Sequence, residues 1–203
     1  MDIYFRDAEK NDLETLVDIH IEAFDGFFLT SLGKGFLHSL YEQFLVQKLG
    51  ILRVAYNENQ TIVGFSAGSI NPAAFFSIIK KKEWFKFLTA ALPALIKQPI
   101  TVIKKIFHSV YYSGDSGDAI TDGVLLSSLA VLPNLEGNSI GSYLLNDFEC
   151  YVSSLEKNRV IYLTTDAENN EFVRRFYEKN NYIFHSEFYQ INNRRMLRFI
   201  KKT

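Results

Sequence analysis

The stretch AVLPNLEGNSIGSYLL, residues 130–145, decides how the rest of the chain is read: an apolar run is interrupted by Pro133, Gly137 and Gly141 and then resumes at helical spacing. A strand that passes through a glycine-containing turn into a helix aims the unpaired N–H groups of the first helical turn beyond the strand end, and those donors favour an anion. Gly137 and Gly141 let a backbone come close without a Cβ in the way, and Ser139 and Ser142 add hydroxyl donors. A helix dipole alone contributes about 0.3–1 kcal/mol per exposed charge, so several N–H groups must converge to hold a phosphate. A bland strand–turn–helix corner has the same spacing, and the glycines alone do not separate the two readings. Nucleotide hydrolysis and dinucleotide binding lose support, because Gly141 is followed by Ser142 and Tyr143 rather than Lys-Ser/Thr, and no G-x-G-x-x-G occurs.

Working outward, GVLLSSLAVL (123–132) reads as the strand before this corner and GNSIGSYLLNDFECYVSSLEKN (137–158) as the helix after it. Ser139 is read as a first-turn helical residue, with no need of positive φ. VIYLTT (160–165) follows as a strand, NEFVRRFYEKN (170–180) as a helix, and the residues from Tyr182 onward as two more strands. On the N-terminal side, IYFRDA (3–8) is extended, and Asn11 with Glu14 three residues on predicts a capped helix carrying Leu13, Leu16, Val17, His20 and Phe24 on one face. A second helix runs through GKGFLHSLYEQFLVQKLG (33–50) and is predicted to end at Gly50. ILRVAYN (51–57) and TIVGFSAGSI (61–70), flanking NENQ, read as an antiparallel hairpin. The order predicts an α/β fold: a three-layer, mixed and mainly antiparallel central sheet flanked by helices, with a helical insertion, in a single domain spanning 1–203.

The chain of 203 residues is 47% hydrophobic and carries a net charge of -1, so no global charge draws it to nucleic acid. The charge is locally segregated. Residues 71–110 hold seven lysines against Glu83 alone, a charge of +6 that leaves -7 for the remainder. Cys150, the single cysteine, cannot form an internal disulfide and is expected to be a buried core hydrophobe. No apolar run reaches the roughly 18 residues of a membrane span, and with no charged-then-apolar leader at Met1 a cytoplasmic location is expected.

VLPNLEGNSIGSYLL (131–145), followed by YLTTDAENNEFVRRFYEKNNY (162–182), resembles the two core motifs of the GCN5-related (GNAT) N-acetyltransferases, with Asn170, Phe176, Tyr177, Glu178, Lys179 and Tyr182 at matching places. The resemblance implies an acetyl-coenzyme A (acetyl-CoA) site and no metal. By that analogy the backbone of Leu129, Ala130 and Val131 pairs with the pantetheine arm, and the turn of Gly137, Asn138, Ser139, Ile140, Gly141 and Ser142 holds the pyrophosphate. Asn170 helps to position the cofactor, and Tyr177 is the catalytic acid beside the thioester sulfur. A phenol of ordinary pKa near 10 suits a leaving thiolate whose thiol pKa is about 8.5. Glu136 stands where the family usually has Gln or Arg, Ser139 where it has Gly, and Leu125 where many relatives carry a carboxylate that takes the acceptor's proton.

The base is therefore open among Asp122, Ser127, Ser128, His20, His38 and water, with His20 read as a structural histidine on an apolar face. The implied acceptor is a primary amine of a small molecule, such as an amino sugar or sugar nucleotide, or of a peptide. A coenzyme A-binding module of the same fold without transfer is the alternative. The insertion at about 71–119 is left over from the shared core. Phe85, Leu88, Leu92, Leu95 and Ile96, then Ile100, Ile103 and Phe107, keep helical spacing, with Pro93 and Pro99 expected to break the run into two or three short amphipathic helices. Phe75, Phe76, Trp84, Phe85, Phe87 and Phe107 interleave with the lysines, which suits packing on the domain, a lid over an anionic acceptor, or a membrane-surface or protein contact. SGDSGDA (113–119) reads as a flexible loop. A homodimer is kept open, and nucleic acid is not expected as a partner.

Overall fold

Alternation of apolar and polar residues and the turn residues between them set seven strands into one sheet, in a computed structural model that describes residues 2–97, 120, 122–135, 137–156, 158–190 and 193–203, with backbone alone at 93–97. The strands are β1 (Ile3–Asp7), β2 (Gly50–Asn57), β3 (Ile62–Ser69), β4 (Val124–Val131), β5 (Val160–Asp166), β6 (Ile183–Gln190) and β7 (Arg194–Lys202). Their spatial order is β1-β2-β3-β4-β5-β7-β6, and every neighbouring pair is antiparallel except β4 and β5. The predicted mixed, mainly antiparallel sheet is what forms.

Helices cover both faces. On one side α1 (Leu13–Ala23) and α3 (Lys34–Val46) bury Leu13, Leu16, Leu37, Tyr41 and Phe44 against Leu52, Val54 and Phe65, with the short α2 (Phe28–Ser31) between them in sequence. On the other, α6 (Ile140–Leu155) and α7 (Glu171–Lys179) pack Leu144, Leu145, Phe148 and Tyr177 on Val63, Leu126, Leu163 and Phe199. β3 lies between the two layers and is buried at every position. Arg53 of β2 forks onto Asp147 of α6 through Nε and Nη2 at 2.9 and 2.8 Å, fixing that helix over the sheet.

Gly68 on β3 marks a tight approach between the sheet and α6. A Cβ there would run into the Leu125 carbonyl oxygen and stand 2.5 Å from Phe148 Cζ. Gly68→Ala is expected to lower stability by about 2 kcal/mol through overpacking, read as a reduced urea midpoint at unchanged slope.

Four local expectations are corrected. The entry to α1 is fixed not by Asn11 and Glu14 but by Asp12, whose carboxylate accepts the Glu9 N–H at 2.7 Å and two bonds from Arg6 at 2.6 and 3.0 Å. α3 ends at Val46, because Gln47 already has extended φ/ψ, and Gly50 opens β2 instead of closing the helix. Pro93 does not break its segment. After α4 (Pro72–Ile78), capped by the Asn71 side chain accepting from Ala74 N–H at 3.1 Å, and a π-helical turn Ile79–Glu83, α5 runs from Trp84 to Lys97 straight through Pro93. A proline ring forfeits one helical hydrogen bond yet keeps a helical φ, and a helix with tertiary support tolerates that loss. Cys150 is exposed, because the buried face of α6 is the one carrying Leu144, Leu145, Phe148 and Val152. Pro99, Ile100, Ile103, Phe107 and the 113–119 loop lie outside the described residues.

Candidate functional site

The site begins with a bulge. Ala67 faces Ser128 and Gly68 faces Leu126, so Ser127 is an extra residue on β4, and such an insertion bends and twists its strand. β4 then pairs with β5 only at Val124–Ile161 and Leu125–Tyr162, while it stays with β3 as far as Val131, and β5 stays with β7 as far as Asp166. Beyond Leu125 the two parallel strands part, and a wedge opens in the middle of the sheet. The Leu132 N–H donates to the Val63 carbonyl at 2.9 Å, so by strand alternation Ser128 and Ala130 turn their backbone groups to β3. Leu129 and Val131 turn theirs to the wedge.

At the wide end of the wedge β4 passes through a 3-10 turn, Pro133–Leu135, and the Asn138 side chain donates to the Leu135 carbonyl at 3.1 Å. Gly137 has φ 82° and Ser139 φ 60°, and both are exposed, as is Asn138. The expectation for Ser139 is thereby corrected: it is the left-handed N-cap of α6, in the conformation that glycine takes without strain. Tyr143 N–H makes the first helical bond, to the Ser139 carbonyl at 3.0 Å. Among the described residues the N–H groups of Gly141 and Ser142 therefore have no partner four residues back, and the Ser139 side chain does not cap the first turn that they form with Ile140. The first turn of α6 carries no acidic residue; Glu136 lies outside the described residues. Ser139→Gly is expected to raise stability by about 0.5–1 kcal/mol by relieving the left-handed strain, visible in the urea midpoint.

α7 lies beside this helix start. The Phe176 ring would stand 3.4 Å from a Cβ at Gly141, and Tyr177 packs its ring 5.1 Å from Phe176 and 5.6 Å from Tyr182. Burial pushes the Tyr177 hydroxyl well above the ordinary phenol value, with no hydrogen bond opposing it among the described residues, so it keeps its proton throughout the neutral range. Asn170, at the N-cap of α7, donates to Thr165 Oγ1 at 2.5 Å and to the Asp166 carbonyl at 3.3 Å, which pins the end of β5 at the far wall of the wedge.

Across the sheet a buried polar line reaches β4. His20 Nδ1 lies 2.6 Å from the Tyr41 hydroxyl, which in turn stands 3.5 Å from Ser128 Oγ. His20 is 3% exposed, and desolvation lowers its pKa from 6.5 to about 4, so its imidazole is neutral at physiological pH. In the sequence Tyr41 stands only at helical spacing with Leu37, Leu40 and Phe44, which gives it no polar role. The usable signal was a phenol and an imidazole both on buried faces, since such polar tips find partners when buried. Asp122, Ser127 and His38 are exposed.

Comparison with known proteins follows the same lines. The family model for the acetyltransferase (GNAT) family matches residues 110–182, which include β4, the turn, α6, β5 and α7. No curated protein matches the sequence. Among solved structures, the histone acetyltransferase HPA2 and related acetyltransferase from Corynebacterium glutamicum is similar over 99% of this chain and 96% of its own, with TM-score 0.61 at 16% identity. A spermidine N-acetyltransferase SpeG chimera from Vibrio cholerae and hSSAT is similar over 100% and 96%, with TM-score 0.61 at 13% identity. Arabidopsis thaliana NAA60 in complex with acetyl-CoA is similar over 99% and 98%, with TM-score 0.59 at 17% identity.

Proposed function

We propose, from the match of residues 110–182 to the GNAT acetyltransferase family, that this chain transfers an acetyl group from acetyl-CoA to a primary amine of a small molecule or peptide by direct attack. The observation that carries the reading is the parting of β4 from β5 ahead of an uncapped helix start. The residues present fit the group: an extended arm matches the unpaired backbone of Leu129 and Val131, and a diphosphate matches the N–H groups of Ile140, Gly141 and Ser142 behind the open turn of Gly137, Asn138 and Ser139. Bound acetyl-CoA supplies an activated acetyl thioester whose sulfur leaves as a thiol.

Tyr177 keeps a proton on its hydroxyl for that sulfur, because burial disfavours the phenolate. Asn170 holds the β5 wall through Thr165 and Asp166. His20 leaves the set of candidate bases. It is 3% exposed and its Nδ1 is engaged with the Tyr41 hydroxyl, so no acceptor amine reaches it. Asp122, Ser127, Ser128, His38 and water remain for the acceptor's proton.

Calorimetry with acetyl-CoA, followed by thiol release over an amine panel of spermidine, a histone-type lysine peptide and an amino sugar, tests the reading. The first two acceptors are suggested by the names of similar structures. Saturable uptake with thiol release from one class of amine is expected, and no uptake at about millimolar acetyl-CoA overturns it. Uptake without release from any amine leaves the binding module of the same fold.

A further inference from the structure

α5 has more apolar surface than the described residues cover. Its inner face packs on α3: the Phe87 ring lies 5.1 Å from Phe36, the Ala90 carbonyl oxygen would stand 3.5 Å from a Cβ at Gly35, and Ala91 is buried. One flank is polar, with Lys86 ion-paired to Glu42 of α3. The remaining face carries Trp84, Phe85, Leu88 and Leu92, which are 57%, 63%, 42% and 47% exposed. At about 100° per residue these four fall within an arc of roughly 100°. A helix that is apolar on its outer face as well as its inner one has a second surface to cover.

The π-helical turn immediately before α5 carries Lys80, Lys81 and Lys82, all exposed. Aromatic and leucine side chains on one face with lysines adjoining is the composition of a helix lying in a lipid interface. The charges also choose among occupants. A second copy of this chain docked on the same face sets the lysine turn either against its twin, when the two helices run parallel, or against the uncharged Leu88 and Leu92 end of the stripe, when they run antiparallel, and neither arrangement offers it an acidic partner on that face. An anionic surface meets the lysines and the apolar stripe together. At 14 residues α5 is too short to cross a bilayer, and no described helix is long and apolar enough to do so.

We propose that the outer face of α5, with the lysine turn ahead of it, docks this protein on an anionic lipid surface. Trp84 is the single tryptophan in the chain and reports on the contact directly. The full chain is mixed with phosphatidylcholine vesicles with and without phosphatidylserine, and both Trp emission and flotation are read. Phosphatidylserine vesicles are expected to float the protein and shift Trp84 emission to the blue, while phosphatidylcholine alone does neither. The double variant Phe85→Ser/Leu88→Ser, at exposed positions and checked by its circular-dichroism melt, is expected to weaken binding about tenfold or more, and Lys81→Gln/Lys82→Gln to weaken it and flatten its salt dependence. No binding of the unaltered chain to anionic vesicles overturns the proposal. So does binding undiminished by the serine variant, or association with an acidic polypeptide or a second copy without any vesicle binding.

Discussion

Replacing Tyr177 with Phe is expected to lower turnover about 100-fold, near 2.7 kcal/mol of transition-state stabilisation, while the affinity for acetyl-CoA stays within about twofold. The effect falls at the lower end of general-acid contributions because a thiolate is already a competent leaving group. The substitution isolates the proton. The ring stays packed between Phe176 and Tyr182, and the deleted hydroxyl has no hydrogen-bond partner among the described residues, so folding has little to lose. Because burial holds the Tyr177 pKa above its ordinary value, the phenol remains protonated across the neutral range, and any alkaline fall in rate near neutrality belongs to another group. Single-turnover rates of thiol release, paired with calorimetry of both forms, read the effect. Unchanged turnover with tight cofactor binding removes Tyr177 from the chemistry.

A second large effect is expected in acid. His20 titrates at about 4 in the folded chain, against an ordinary value of 6.5, because burial penalises the imidazolium. Between those two values the unfolded chain binds a proton that the folded chain refuses, so stability falls as pH falls. Its contribution is complete above pH 6.5 and is lost by the time pH has dropped through about 4, a change of about 3 kcal/mol. Urea midpoints measured across that interval for the native chain and for His20→Asn should diverge by this amount. Asn cannot titrate, yet its amide reaches the place of Nδ1 and keeps a partner for the Tyr41 hydroxyl, whereas an apolar replacement would strand it. Parallel acid profiles for the two proteins would mean that the imidazole is not held neutral by burial.

Most strands and helices were legible because each is delimited by local chemistry: β-rich runs end at Asn, Gly or Asp, and the helices show their periodic faces. The two motifs at 131–145 and 162–182 placed the turn, α6 and α7 correctly for the same reason. What the sequence hid depends on contacts between distant segments. Tyr41 and Ser128 are 87 positions apart, and nothing near either one announces the other. Asp12 outcompetes Asn11 as the anchor of α1 because Arg6, on the neighbouring strand, is there to hold it. Pro93 inside α5 shows tertiary support overriding a local breaker. Cys150 is a different kind of miss. The spacing of Leu144, Leu145, Phe148 and Val152 already put position 150 off the buried face, and the general tendency of cysteine to be buried was given too much weight. The left-handed Ser139 was signalled only by standing where relatives carry glycine.

The seam between β4 and β5 consists of two residue pairs, whereas each of those strands is zipped along most of its length to its other neighbour. The backbone ladder is therefore interrupted at the seam, while one hydrophobic cluster, with Leu126 and Phe148 on one side and Ile161, Leu163 and Phe199 on the other, carries across it. A guest whose amides pair in the gap supplies rungs that the ladder lacks. Occupancy should then slow hydrogen–deuterium exchange at Leu129 and Val131, so that protection arrives with the guest and departs with it.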